Sequence, residues 1–354
     1  MSSPLDLNAI HQAIDEACNE ASRCKTLSEI RRAQESDFAI WQDREKNEDE
    51  DARLSAALLF GVVATMNGQQ YLSTFNLAYS TWDGRVLYLD RLGIPDPNSQ
   101  NQEPNVDANT LVRCAFCDIA LRCKCNRFTW QHFDHPQNLA GNIKPEYLDG
   151  WLTLHWDRVS MNKFAGDAPV LDSSLSLLEK MDGCLDLQTN GDFRLRLSKA
   201  TDVDSIGRLV QGLADFEKEP DAVNMTVDQY RVDGFEGQQP LFYCFLLEDV
   251  SNKSQPYACG MAFCFLGCTL DKGAFIYLED LFIEEKYRGK GAGSMVMRSL
   301  ALLGQILNCD KLIWQALDWN TPALTFYNNI GAKVQDGLLT SRYAGQHLFD
   351  FVNE

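Results

Sequence analysis

Phe193 to Ser198 (FRLRLS) alternates apolar and polar side chains, the two-residue period of a strand with one buried face. Thr201-Asp202-Val203-Asp204 follows, with the small polar and acidic residues that satisfy free N–H groups at a helix start. Leu241 to Leu247 and Ala258 to Leu266 predict two strands of one antiparallel sheet, parted by a polar turn at Val250 to Gln255. Phe275 to Ile283 (FIYLEDLFI) predicts a further strand, then the polar run EEKYRGKGAGS and a helix from Ser294 to Leu307. Lys311 to Leu317 (KLIWQAL) is another strand. Asn320-Thr321-Pro322 caps a short helix that stops at Gly331, with proline just inside the start and glycine at the end. The order β-α-β-β-β-α-β-α-β over residues 193–354 predicts an α+β domain with a mainly antiparallel sheet.

Part of that order recurs upstream. Thr81 to Ile94 (TWDGRVLYLDRLGI) matches Thr269 to Ile283 (TLDKGAFIYLEDLFI) through a shared Tyr-Leu-acidic core, after a one-residue adjustment. Ala108 to Gln131 aligns without gaps on Ala292 to Gln315, and Asp149-Gly150-Trp151-Leu152-Thr153 echoes Asp336-Gly337-Leu338-Leu339-Thr340. Three matches in one order predict a duplicated unit. The polar stretch 160–192, with one apolar helical patch at Leu175 to Met181, reads as a linker. The expected division is a degenerate first copy over 1–160, a linker over 161–192 and a second copy over 193–354. Between strand and helix the first copy has PDPNSQNQEPNVD where the second has EEKYRGKGAG, and Ile143 stands at the position of Tyr327. The first copy is therefore expected to be non-catalytic.

Charge and composition narrow the partners. With 50 acidic and 32 basic residues the net charge is −18, a field that repels phosphate backbones, so no nucleic-acid partner is expected. No apolar stretch reaches the ~20 residues that span a bilayer, and the start lacks the apolar core of a secretory leader. No membrane is expected, and a reducing cytoplasm is the expected setting for the 12 cysteines. Cys114, Cys117, Cys123 and Cys125, with His132 and His135 beyond, have the ligand types of a zinc tetrahedron. Asn109 to Arg122 reads as a helix, however, and its thiols fall at apolar positions, so core packing is preferred and no metal is expected.

The candidate chemistry centres on Arg288-Gly289-Lys290-Gly291-Ala292-Gly293-Ser294, between a strand and a helix. Glycines let backbone approach an anion, the helix start offers N–H groups, and Arg288 and Lys290 add charge for a pyrophosphate. The turn is no P-loop, because Gly293 rather than lysine precedes Ser294. It is a poor dinucleotide turn, because Asp310 precedes the strand Lys311 to Leu317 instead of ending it. A plain solvent loop is the remaining alternative. The spacing R-x-x-G-x-G (Arg288, Gly291, Gly293) resembles the acetyl-CoA signature of the GNAT N-acetyltransferase superfamily. Together with YLEDLFIEEKYRGKGAGS, ALDWNTPALTFYNNIGA and LADFE, residues 193–354 resemble the diamine (spermidine/spermine) acetyltransferase branch.

That resemblance implies acetyl-CoA as cofactor and tandem GNAT-like domains in this chain. Glu279 lies on the strand beside the expected cofactor channel, where a carboxylate takes the amine's proton directly or through water. Strand alternation puts Asp280 on the opposite face. Tyr327, a phenol one turn into its helix, matches the family's general acid for the leaving sulfur. The resemblance also implies two splayed central strands, with backbone N–H groups of Leu281, Phe282 and Ile283 facing the thioester oxygen and the pantetheine arm. Asn320 and Pro322, at the start of the Tyr327 helix, are expected beside the cofactor. Phe216 and Glu217 match the branch's substrate side, where a carboxylate selects an ammonium-bearing acceptor. The branch carries a tryptophan ahead of the L-E-D strand, where this copy has Asp271, and another near its C-terminus, where Tyr343 to His347 reads YAGQH. The expected acceptor is a small polyamine, diamine or amino-acid analogue. A protein lysine or N-terminal acetyltransferase and a non-catalytic acyl-CoA sensor are the alternatives. The first copy is expected to replace the second subunit of the usual dimer, giving a monomer with an internal pseudo-dimer, or else a homodimer.

Overall fold

Two long hairpins of alternating apolar residues, one from each half of the chain, face each other across the centre of the molecule. The computed structural model describes residues 6–22, 29–34, 36–38, 58–98, 115–133, 144–166, 175–185, 189–190, 192–237, 240–252 and 254–353. The first stretch carries α1 (Leu7–Ala21), β1 (Glu29–Arg32), β2 (Phe60–Met66), β3 (Gln69–Ser80) and β4 (Gly84–Pro95). Next come α2 (Cys117–Arg122), β5 (Arg127–His132), β6 (Glu146–Tyr147), β7 (Trp151–Asp157), α3 (Arg158–Ala165), α4 (Leu177–Leu185) and β8 (Thr189–Asn190). The second half continues with β9 (Phe193–Leu197), α5 (Val203–Glu217), α6 (Val227–Arg231), β10 (Tyr243–Asp249), β11 (Tyr257–Thr269) and β12 (Gly273–Ile283). It closes with α7 (Ala292–Ile306), β13 (Lys311–Leu317), α8 (Thr321–Asn329), β14 (Lys333–Val334), β15 (Leu339–Ala344) and α9 (Gln346–Asn353).

Two mixed, mainly antiparallel sheets result, one of 7 strands ordered β1-β2-β3-β4-β5-β15-β6 and one of 8 ordered β14-β7-β13-β12-β11-β10-β9-β8. The repeat is structural. β4 pairs in parallel with β5, and β12 with β13, as the aligned segments require. Each copy also has a β-bulge at the same place: β3 and β4 shift register around Asp90, and β11 and β12 around Glu279.

The third repeat element departs from the expected division. β7, from the first half, pairs antiparallel with β13, and β15, from the second half, pairs antiparallel with β5. Each copy's last strand completes the other copy's sheet. Strand pattern specifies a buried face rather than a partner, so alternation could not reveal this exchange. At its centre Gln131 and Gln315, aligned in the repeat, both donate to the hydroxyls of Thr153 and Thr340, at 2.9–3.3 Å. The aligned tyrosines Tyr88 and Tyr277 lie 6.2 Å apart between their ring centres. These pairs mark a pseudo-twofold axis. The linker is not slack chain either: α3 and α4 bury Met161, Ala165 and Met181 in the second core. Trp156 of β7 is fully buried there, edge-on to Trp314 at 5.4 Å.

In the first copy, Cys117, Cys123 and Cys125 are buried around α2 beside Phe116 and Phe128, and burial pushes the Cys123 thiol up to about 12. Cys114 and His135 lie outside the described residues, as do most of PDPNSQNQEPNVD and Ile143. Among the described residues no cluster of three potential metal ligands forms, and no helix is long and apolar enough to cross a membrane.

Candidate active site

β12 and β13 run side by side as far as Leu278 and Trp314, and then part. Beyond that point β12 continues on β11 as far as Ile283, while β13 follows β7 as far as Leu317. The splay opens a cavity of about 530 Å³. Its β12 wall is Glu279 to Ile283, its β13 wall Gln315 to Leu317, and its far side α5 with Leu213, Phe216 and Glu217. Among the described residues the edge of β12 that faces the gap has no strand partner past Leu278. There the peptide N–H groups of Leu281 and Ile283 turn to the gap, while Glu284 N bonds the Cys259 carbonyl of β11 and Phe282, two residues earlier, faces β11 as well.

The glycine turn closes one end. Arg288, Gly289, Gly291, Gly293 and Ser294 line the cavity ahead of α7. Gly291, the N-cap of α7, has φ +81°, a left-handed conformation that favours glycine, and no side chain caps the helix. The first-turn N–H groups are therefore open to an anion, which fits the diphosphate of acetyl-CoA. A Cβ on Gly293 would lie 3.4 Å from the Phe326 ring, an ordinary van der Waals contact, so α8 packs directly against the turn. Of the two basic residues, Arg288 lines the cavity and Lys290 does not. Arg288 donates from Nε to the Ile283 carbonyl at 2.7 Å and lies over the Phe216 ring at 4.7 Å. Lys290 lies over the Tyr287 ring, and Ala292 is buried; neither lines the cavity. The turn thus offers an anion its uncapped backbone N–H groups together with Arg288 at the cavity wall.

α8 forms the other wall. Asn320 caps it by accepting from Ala323 N at 3.3 Å, with Pro322 in the first turn, and both residues line the cavity. Tyr327, 7% exposed, packs on Trp314 with ring centres 5.2 Å apart. Burial raises the phenol's pKa, so it stays protonated.

Glu279, Asp280 and Glu217 converge on the same cavity. Asp280 is a correction: alternation placed it on the opposite face, but the bulge at Glu279 breaks the two-residue period and puts both side chains on the cavity side. Burial pushes both carboxyls up, and their mutual repulsion raises Glu279 further. Glu217 is pushed up to about 8, first by burial, then by the charges of Asp280 and Glu279.

The first copy also reaches the site. The turn between β3 and β4 brings the Ser80 hydroxyl to Glu279 and the Thr81 hydroxyl to Asp280, and Tyr230 donates to the Thr81 carbonyl at 2.5 Å. Trp82 of that turn packs with the cluster around Leu213 and Phe216, and Trp151 of β7 lines the cavity. Two tryptophans of the first copy thus stand near the site of the second. The repeat alignment held the signal, since it sets Trp82 against Asp271 and Trp151 against Leu338. Gln315 and Leu213 carried no comparable mark.

Residues 213–332 match the model of the Acetyltransferase (GNAT) family. The chain is 33% identical over 163 residues to thialysine N-epsilon-acetyltransferase of Bos taurus, spanning 45% of this chain and 92% of that protein. It is 32% identical over 170 residues to spermidine/spermine N(1)-acetyltransferase-like protein 1 of Homo sapiens, spanning 47% of this chain and 24% of that one. Among solved structures, a tandem GNAT protein from the clavulanic acid biosynthesis pathway is similar at 9% identity and TM-score 0.39, over 97% of each chain. With a splayed strand pair, an uncapped glycine turn, the family match over 213–332 and 33% identity to a relative covered to 92% of its length, the chain belongs to the GNAT family of acetyl-CoA-dependent N-acetyltransferases.

Proposed function

We propose that the cavity acetylates a primary amine of a small cationic molecule, a diamine, polyamine or basic amino-acid analogue, by direct transfer. The observation that supports this most is the convergence of Glu217, Glu279 and Asp280 with Tyr327 on one cavity at the strand splay. Three carboxylates in a confined space favour an acceptor that carries a second positive charge. The relatives named for thialysine and for spermidine/spermine fit such an acceptor.

Bound acetyl-CoA supplies an acetyl group activated as a thioester. Glu279 removes the amine's proton; its raised pKa brings it towards neutrality, where a general base works best. Backbone N–H groups of Leu281 and Ile283 line the side on which oxyanion charge develops, while that of Phe282 turns to β11. Tyr327, kept protonated by burial, holds a proton at its Oη for a leaving sulfur. Glu217 and Asp280 hold the acceptor's distal ammonium, with Phe216 and Trp151 along its alkyl chain. The first copy takes the place of a second subunit, and the chain is a monomer; light scattering should give a mass near 40.0 kDa.

Thiol release from acetyl-CoA against a panel of diamines, polyamines, thialysine, ornithine and lysine peptides tests the reading. Small diamines or basic amino-acid analogues should turn over faster than any peptide. Turnover of lysine peptides alone would overturn it.

A further inference from the structure

The buried acids of the cavity lie under the charge of an arginine from the other sheet. Arg127 opens β5, where it pairs with Val86 and Ala344. Its side chain is 13% exposed and ion-pairs with Asp83 in the β3–β4 turn. That turn is pinned from two sides: Asn126 Nδ2 donates to the Asp83 carbonyl at 2.7 Å, and Asn224 Nδ2 to the Asp83 carboxylate at 3.3 Å. The same turn presents Ser80 to Glu279 and Thr81 to Asp280. Arg127 Nε is buried without a hydrogen-bond partner among the described residues. Its positive field opposes the effect of burial on both Glu279 and Asp280. The repeat sets Lys311 at the matching position, and Lys311 faces Asp310, Asp90, Asp271 and Lys272 instead.

We propose that Arg127 is a positioning residue for acetyl transfer in the second half: anchored on Asp83, its guanidinium holds the Glu279–Asp280 pair against the Ser80–Thr81 turn and leaves Glu279 able to take the amine's proton. The assignment rests on the reading of Glu279 as base. The other groups around the pair are neutral or acidic. Tyr277 lies on β12 itself, Tyr88 on β4 and Glu217 on α5. Tyr230 on α6, Cys244 on β10 and Tyr327 on α8 complete the set, with Asp83 in the turn. Arg288 is engaged at the Ile283 carbonyl and the Phe216 face. Without Arg127 the carboxylates would lose the cation that offsets their repulsion.

The test follows the carboxyl titration of full-length protein labelled with 13C-glutamate, the Glu279 signal assigned by its loss in Glu279→Gln. Arg127→Gln should move the Glu279 midpoint up by about one pH unit, as expected for loss of a nearby opposite charge. Arg127→Lys should restore most of the shift. Asp83→Asn, which removes a negative neighbour and frees the guanidinium, should move the midpoint down. A role confined to folding would move melting temperature but not these midpoints. If Arg127→Gln fails to fold, Arg127→Lys and Asp83→Asn still carry the opposed shifts. Midpoints unmoved in every folded variant would overturn the proposal. Full activity with an unchanged acidic limb in Glu279→Gln would instead overturn Glu279 as base, whatever Arg127 does.

Discussion

Asp90 and Glu279 occupy the same bulge in the two copies, yet their surroundings differ. Asp90 accepts from the Thr74 hydroxyl at 2.9 Å and from Leu270 N at 3.0 Å, and its neighbour Arg91 ion-pairs with Asp271. Both bonds go to Oδ2, which is thereby occupied within the protein. Glu279 keeps one protein contact, from Ser80, and borders the open cavity beside a second acid, Asp280. In both copies the bulge leans on the opposite copy's hairpin turn, through Leu270 at Asp90 and Ser80–Thr81 at Glu279 and Asp280. The duplicated bulge is a structural device in itself. On the proposed reading of Glu279 as base, it becomes a reactive one where its carboxylate stays available to a ligand and where a glycine turn faces it.

The comparison can be broken at several points, and the largest effect concerns the exchanged strands. Residues 193–354 expressed alone lack β7, which pairs along the whole of β13, and they carry a β15 with no β5 to join. They should fail to give a cooperative melt, whereas a folded, active fragment would mean that the exchange is dispensable. Next, Glu279→Gln should lower kcat by on the order of 10²–10³, while Asp90→Asn should leave it within about twofold. Equal losses would erase the distinction between the two bulges. Trp156→Ala, a first-half residue in the second-half core, should cost about 3–5 kcal/mol in denaturant unfolding. The smallest effect is one of pH. Glu217 has a raised pKa in the folded state, so its stability contribution is present below its unfolded value of 4.5 and is lost as pH rises through about 8. Glu217→Gln should therefore raise Tm by a few degrees at pH 8 and leave it unchanged at pH 4.

Much of the fold was legible where local pattern decides. FRLRLS, FIYLEDLFI and KLIWQAL fold as strands, and Asn320-Thr321-Pro322 caps a helix as its residue types require. The duplication was legible too, down to the aligned pairs Gln131/Gln315 and Thr153/Thr340 that meet at the axis. Two features were not. Alternation assumes an unbroken ladder, so one extra residue at Glu279 misplaced Asp280. A strand's pattern also does not name its neighbour, so the exchange stayed hidden, and with it the contributions of Ser80, Thr81, Arg127 and Trp151 to a site in the other half. Chemistry on one strand can be read from its residues; chemistry assembled across two sheets needs their arrangement.

The crossed strands also set a timetable for synthesis. β7 leaves the ribosome roughly 150 residues before β13, its partner, and the first sheet must wait for β15, near the end of the described chain, to cover β5. Through most of translation the first sheet therefore carries a naked edge at β5, and β7 with its Trp156 is without its eventual surroundings. A chain built this way trades early, piecewise maturation for a late and concerted one, so its nascent form is a natural client for chaperones that shield bare strands.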